Sequence, residues 1–200
     1  MIVDNKVVTL DHMTHLKNLD TIFKFGLLNH NNKYKQVDIS NQEVNIRRSK
    51  IEPIYGKALH EYVPLYFNPR NAMMYRNKNE NIVILAFDLK ILHDDNVIFT
   101  DKNASASNVN FYKNIKDIDN LSGYTAFNSW YNHPFEYEIK QHMMAEVLIY
   151  KKLDISYLRY IYVKNEEFQK IVMNRYNLPK KYIQIKPELF FKEKSLCIVL

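Results

Sequence analysis

Glu146 is the residue best placed to do chemistry. It sits in Ala145-Glu146-Val147-Leu148-Ile149, among side chains that prefer burial. A carboxylate there costs free energy unless it is paired, hydrogen-bonded or set at a cleft. At a cleft it could stabilise positive charge or accept a proton. The alternative is a glutamate on an edge strand facing water, since alternation exposes every second residue. Arg47, Arg48, Arg70 and Arg76 form a second group. Their forked guanidinium groups suit the paired phosphates of a dinucleotide or a DNA backbone. Solvated surface is the alternative for any one of them. Arg70 is harder to dismiss, because it stands between the apolar run Val63–Phe67 and Met73-Met74-Tyr75.

His12 and His15 are three apart, with Thr14 between them. That is close to metal-ligand spacing, but no cysteine or HExxH partner completes a site, so no metal is expected. Asp94-Asp95 lies in a loop-like segment without partners, which argues against a metal-dependent nuclease. Tyr66, Phe67, Met73, Met74, Tyr75, Tyr112 and Trp130 supply apolar and aromatic surface. Most of it belongs in a core; any part exposed beside a basic cleft could stack bases.

The composition narrows the setting. The 200 residues suit one domain over 1–200, with 46% hydrophobic and 25% charged residues. A net charge of +6 and a pI near 9.1 suit a polyanionic partner, or else a lysine-rich solvated surface. Neither a membrane span nor a signal peptide is expected. With the single cysteine Cys197 a disulfide scaffold is excluded, and a cytoplasmic setting is expected. The only glycines are Gly26, Gly56 and Gly123. They cannot form the glycine-rich phosphate loop of a Rossmann or P-loop site, so any nucleotide must be held by another architecture.

The elements that must position these residues read as follows. Helical spacing over 16–25 stops at Gly26. Residues 29–43 read as a polar loop, and 41–48 as a short helix ending in Arg47-Arg48. Val63–Phe67 reads as a strand, followed by a helix through Met73-Met74-Tyr75 with Asn68 as its cap and Pro69 at its first position. Strands are expected at Ile82–Phe87, Asn96–Phe99, Tyr160–Val163 and Tyr182–Ile185. Helices are expected at 107–114, 124–131 and 165–175, and 143–150 is an apolar run carrying Glu146. Short strands and helices alternate without βαβ regularity, which predicts an α+β fold around a central, partly antiparallel sheet.

In this order the pieces resemble the DarT family of DNA ADP-ribosyltransferases. His12-Met13-Thr14-His15-Leu16-Lys17-Asn18-Leu19-Asp20-Thr21-Ile22, followed by Gly26-Leu27-Leu28, is similar to that family's first motif. Val44-Asn45-Ile46-Arg47-Arg48 is similar to its basic segment. The most specific match is Tyr62-Val63-Pro64-Leu65-Tyr66-Phe67-Asn68-Pro69-Arg70-Asn71-Ala72-Met73-Met74-Tyr75. Phe99-Thr100-Asp101-Lys102-Asn103-Ala104 and Ala145-Glu146 complete the set.

The resemblance implies the ADP-ribosyltransferase fold, a split, twisted mixed or antiparallel sheet with surrounding helices and an NAD cleft that lacks a glycine fingerprint. It implies NAD as substrate and single-stranded DNA as acceptor. It also implies a toxin countered by a macrodomain antitoxin. Carried over by position, Glu146 becomes the catalytic glutamate and Arg48 the arginine that assists it and contacts NAD. Arg47 is the next candidate within that pair, and His12 and Thr14 lie on the strand that binds nicotinamide. Arg70, Met73, Tyr75, Arg76 and Asn103 become the nucleic-acid residues. Thymidine-modifying members have histidine where this chain has Asn103, which leaves thymine, guanine and an RNA target open. Rival readings are transfer to RNA or protein, and a catalytically silent basic nucleic-acid-binding domain.

Overall fold

The computed structural model describes residues 2–3, 6–121 and 137–191. The helix expected at 124–131, with Trp130, lies outside them, as do Gly123 and Cys197. In chain order the described elements are β1 (Ile2–Val3), β2 (Lys6–Val7), β3 (Leu10–His15), α1 (Leu19–Phe25), β4 (Leu27–Leu28) and α2 (Gln42–Arg47). Then come β5 (Tyr62–Tyr66), α3 (Ala72–Arg76), β6 (Ile82–Phe87), β7 (Val97–Thr100), β8 (Phe111–Tyr112) and α4 (Tyr137–His142). The last are β9 (Glu146–Tyr150), β10 (Lys152–Leu153), β11 (Leu158–Val163), α5 (Glu166–Tyr176) and β12 (Ile183–Ile185).

An eight-stranded sheet in the order β12-β11-β6-β3-β5-β9-β7-β8 organises the chain. Its ladders are antiparallel except for the parallel pair β11–β12. Alternation sorts its side chains onto two faces. Val83, Leu85 and Phe87 of β6, with Val147 and Ile149 of β9, enter one core, covered by Leu19 and Ile22 of α1 and Phe168 and Val172 of α5. Ile82, Ile84 and Ala86 enter the opposite core with Met13, Tyr66 and Met74. Both faces of β6 are therefore covered, which is why all of Ile82–Phe87 is apolar and buried.

The sheet is split between β3 and β5. Six residue pairs join β3 to β6, but one pair, Asp11 with Tyr66, joins β3 to β5. Pro64 fits this gap. Its carbonyl oxygen points toward β3, 2.8 Å from Nδ1 of His12. In a strand a residue's nitrogen and carbonyl lie on the same edge, so the N–H that proline lacks would also have faced the gap. The opening leaves a place for a ligand where a continuous ladder would have closed the sheet.

Local capping differs from expectation at one place. Asn71, not Asn68, caps α3; its side chain accepts from the N–H groups of Met73 and Met74 at 3.0 and 3.3 Å. Asn68 instead accepts from the N–H of Arg70, and its carbonyl accepts from Asn71 Nδ2. Two stacked asparagine turns thus carry the chain off β5 before the helix starts, and Pro69 lies ahead of it. The region 107–114 is not helical. It contains β8, an outer strand paired with Phe99–Thr100, and Asn110 is held by Asp101 through both its backbone and side chain. Gly26 ends α1 at φ +81°, and a Cβ there would lie 2.8 Å from the Leu153 carbonyl oxygen beside the β4–β10 pair.

Replacing Asn71 by alanine removes the α3 cap and leaves the Asn68 carbonyl without that donor. The expected cost is about 1–2 kcal/mol of unfolding free energy, read from a shifted urea midpoint at unchanged m. An unchanged midpoint would show that the cap contributes nothing.

Candidate active site

Glu146 is the first residue of β9, which runs between β5 and β7. It is therefore not on an edge strand, and it is 0% exposed. Val147 and Ile149 fill the core under α1 and α5, so alternation turns Glu146 and Leu148 to the other face. There Glu146 lies opposite Tyr66 at the head of the split. The ladder to β7 ends one residue short of it, where Phe99 pairs with Val147. Thr100 continues the contact with its side chain, accepting from the Glu146 N–H at 3.2 Å and donating to the Lys102 carbonyl at 2.7 Å. This turns residues 101–104 back over the carboxylate.

Three donors hold that carboxylate. Arg48 Nη1 donates to Oε2 at 2.9 Å, Asn103 Nδ2 donates to Oε1 at 2.9 Å, and the N–H of Ala104 donates to Oε1 at 3.3 Å. Arg48 follows directly on α2, its own N–H closing the last turn onto Val44 and Asn45. Burial alone would disfavour its charge, but the adjacent Glu146 carboxylate outweighs it and raises the guanidinium pKa above its ordinary value. Arg48 is 8% exposed, and its Nη2 is buried with no hydrogen-bond partner among the described residues. Such a group could donate to an anion.

A cleft of about 260 Å³ opens in front of this pair. Arg48 and Asn103 line it, as do His12, Thr14, Met73 and Arg76. His12 is half-buried; burial lowers its pKa from the ordinary value of 6.5, while the bond to the Pro64 carbonyl opposes that. Thr14 is buried and its hydroxyl accepts from Asn18 Nδ2 at 3.1 Å. The neighbouring Tyr66 hydroxyl is kept protonated by burial and by the nearby Glu146 charge, and it donates to Met73 Sδ at 3.3 Å. Another wall comes from residues 29–41, within the stretch that the sequence marked as a polar loop.

Not every expected residue reaches the cleft. Arg47 is exposed at the end of α2 and does not line it. Successive helical residues point about 100° apart, so turning Arg48 inward turns Arg47 away. Arg70 and Tyr75 lie outside the cleft, around Phe191: the Arg70 guanidinium is 4.6 Å from that ring's centre, and Tyr75 meets it edge-on at 5.1 Å. Tyr75 is 45% exposed. Phe191 went unnoticed in the sequence, and no local pattern there would have found it. Among the described residues no cluster of histidine, cysteine and carboxylate side chains could hold a metal ion.

Residues 12–191 match the family model described as DarT, ssDNA thymidine ADP-ribosyltransferase. The chain belongs to the DarT family. A DNA ADP-ribosyl transferase–DNA ADP-ribosyl glycohydrolase fusion protein of Thermosipho africanus is 29% identical over an alignment 191 residues long that covers 85% of this chain. This chain spans 47% of that relative's length. The DarT of Thermus sp. 2.9 in complex with ADP-ribosylated single-stranded DNA superposes with a TM-score of 0.83 at 24% identity, covering 92% of this chain and 97% of the other. The same Thermus DarT in complex with NAD+ gives 0.80, covering 93% and 98%. These likenesses establish the α+β ADP-ribosyltransferase fold expected from the sequence.

The pairing makes Glu146→Ala costly to the fold, because it strands the Arg48 charge in the interior. A loss of about 3–5 kcal/mol is expected, and the double variant Glu146→Ala/Arg48→Met should recover a large part of it. Additive losses in urea unfolding would contradict the buried pair.

Proposed function

We propose that this chain cleaves NAD and transfers its ADP-ribose to a base of single-stranded DNA, with Glu146 as the catalytic carboxylate and Arg48 as its partner on the dinucleotide. The observation that carries this reading is Arg48 on the wall of the cleft, paired to the buried Glu146 behind it and with one guanidinium nitrogen still unpartnered. The family match and the NAD+ and DNA complexes of the Thermus relative support it.

In this account NAD lies along the split, with the nicotinamide end by His12 and Thr14. Arg48 turns its free nitrogen to the phosphates and loosens its hold on Glu146. The bond between ribose C1′ and the nicotinamide nitrogen breaks, and its electron pair leaves with nicotinamide. Positive charge on the ribose is stabilised by the Glu146 carboxylate. The lone pair of a base nitrogen then bonds to C1′, and the proton of that nitrogen passes to Glu146. The shielded cleft limits competition from water.

Met73, Arg76 and Asn103 border the cleft, and Arg70 with Tyr75 lies beyond them, a surface suited to backbone charge and base stacking. An unpaired strand is the expected acceptor, since a paired nitrogen would first have to be freed at a cost of a few kcal/mol. The family's description favours thymine. Asn103 holds Glu146 with one amide N–H while its oxygen accepts from Ser105; the second N–H can donate to a base edge, but the amide cannot act as a base, so guanine stays as the alternative. We further place the chain in a toxin–antitoxin pair, acting within the cytoplasm and reversed by a macrodomain partner; the glycohydrolase in the Thermosipho fusion supports this.

The test is incubation with labelled NAD and single-stranded oligonucleotides each lacking one base, beside duplex, RNA and protein pools. Labelling of single-stranded DNA that disappears with thymine is expected, and Glu146→Gln should slow it about 10²-fold or more. Labelling of RNA or protein alone, or near-normal transfer by Glu146→Gln, would overturn the reading.

A further inference from the structure

Asn18 lies in the motif ahead of α1, and nothing in the transfer chemistry requires it. It is nevertheless buried, with every hydrogen-bonding position of its side chain in use. Oδ1 accepts from the backbone N–H groups of Gln36 and Val37 at 3.0 and 2.9 Å. Nδ2 donates to the Val37 carbonyl at 2.8 Å and to the Thr14 hydroxyl at 3.1 Å. The amide thus takes both the N–H and the C=O of Val37, as a neighbouring strand would, and ties them to β3.

The segment held in this way is 29–41, the wall of the cleft. It contains no helix or strand of its own. Beyond Asn18, the Ile39 carbonyl accepts from Nδ2 of Asn77, a buried residue just after α3, at 3.1 Å. Asn77 Nδ2 is fixed in turn by the Met73 carbonyl at 2.9 Å. Two buried asparagines from different elements, one ahead of α1 and one after α3, therefore pin the same stretch of backbone, 36–39. Between them, Val37, Asp38 and Ile39 line the cavity.

We propose that Asn18 is a positioning residue that clasps segment 29–41 to the nicotinamide-side strand, with Asn77 as the second fastening, and thereby sets the affinity for the dinucleotide. This rests on the reading of the cleft as an NAD site. A wall made of loop has no ladder or helix of its own, so beside the Phe25–Tyr34 stack and the Asn29 bonds to Lys151 and Glu61 it depends on such bonds to stay in place. Where only a fraction of molecules has the wall in place, apparent affinity falls by that fraction. The chemical step at Glu146 is reached only after the wall has closed, so it is untouched.

The experiment compares wild type, Asn18→Ala and Asn77→Ala. It measures NAD affinity by calorimetry, kcat and the KM for NAD with a single-stranded oligonucleotide, and tryptic cleavage after Lys33 and Lys35. Each variant is expected to weaken NAD binding and raise KM about tenfold, to keep kcat within about twofold, and to be cut faster in 29–41. Unchanged affinity and cleavage in both variants would overturn the clasp. So would a fall in kcat at constant KM, which would put Asn18 in the reacting machinery. If Asn18→Ala does not fold, Asn77→Ala reads the same wall from its other side. If wild type fails to bind NAD, the functional reading falls, while the cleavage rates still decide whether the asparagines hold the wall.

Discussion

An arginine and a glutamate far apart in sequence share one buried contact, Arg48 Nη1 to Glu146 Oε2 at 2.9 Å, and the architecture around it is arranged to make that contact tolerable. Neither charge could be buried alone. Desolvating an ion costs several kcal/mol even after relaxation, and the partner's attraction offsets this only where the remaining lone pairs and protons are satisfied. Asn103 and the Ala104 N–H complete the Glu146 side. The Arg48 side is left incomplete by one nitrogen. That nitrogen is buried, and Arg48 itself lines the cleft.

The split in the sheet supplies that cleft. A continuous β3–β5 ladder would have satisfied the backbone and left no room for a dinucleotide. The chain instead joins the two strands at Asp11–Tyr66, bridges the gap with His12 on the Pro64 carbonyl, and uses proline where a backbone N–H would have had no ladder partner. The lack of a glycine loop follows from the same plan. Side chains and one polar segment line the cleft.

Much of this was legible in the sequence, for identifiable reasons. Long apolar runs such as Ile82–Phe87 announced central strands, and Glu146 drew notice because a carboxylate in such a run is costly. Its pairing was not legible, since Arg48 is distant in the chain and nothing local says which of two adjacent arginines turns inward. The cap of α3 falls on Asn71 rather than on the expected Asn68 because both asparagines are competent caps and the choice depends on where α3 packs Met74. The segment 107–114 was misread because a two-residue outer strand has no periodicity to detect. Residues 29–41 read as the polar loop they are, but their place as a wall was not legible because side chains elsewhere, Asn18 and Asn77, hold them. Loops held by distant side chains leave little local signal.

The central claim is that the Arg48–Glu146 pair is the working centre of an NAD cleft. A crystal structure of this chain with a non-hydrolysable NAD analogue tests it most directly. The account predicts the analogue along the β3–β5 split, with the Arg48 guanidinium within hydrogen-bond distance of the pyrophosphate and the Glu146 carboxylate within that distance of the nicotinamide ribose. An analogue bound elsewhere, or bound in the cleft with Glu146 still sealed behind Arg48 and Asn103, would contradict it.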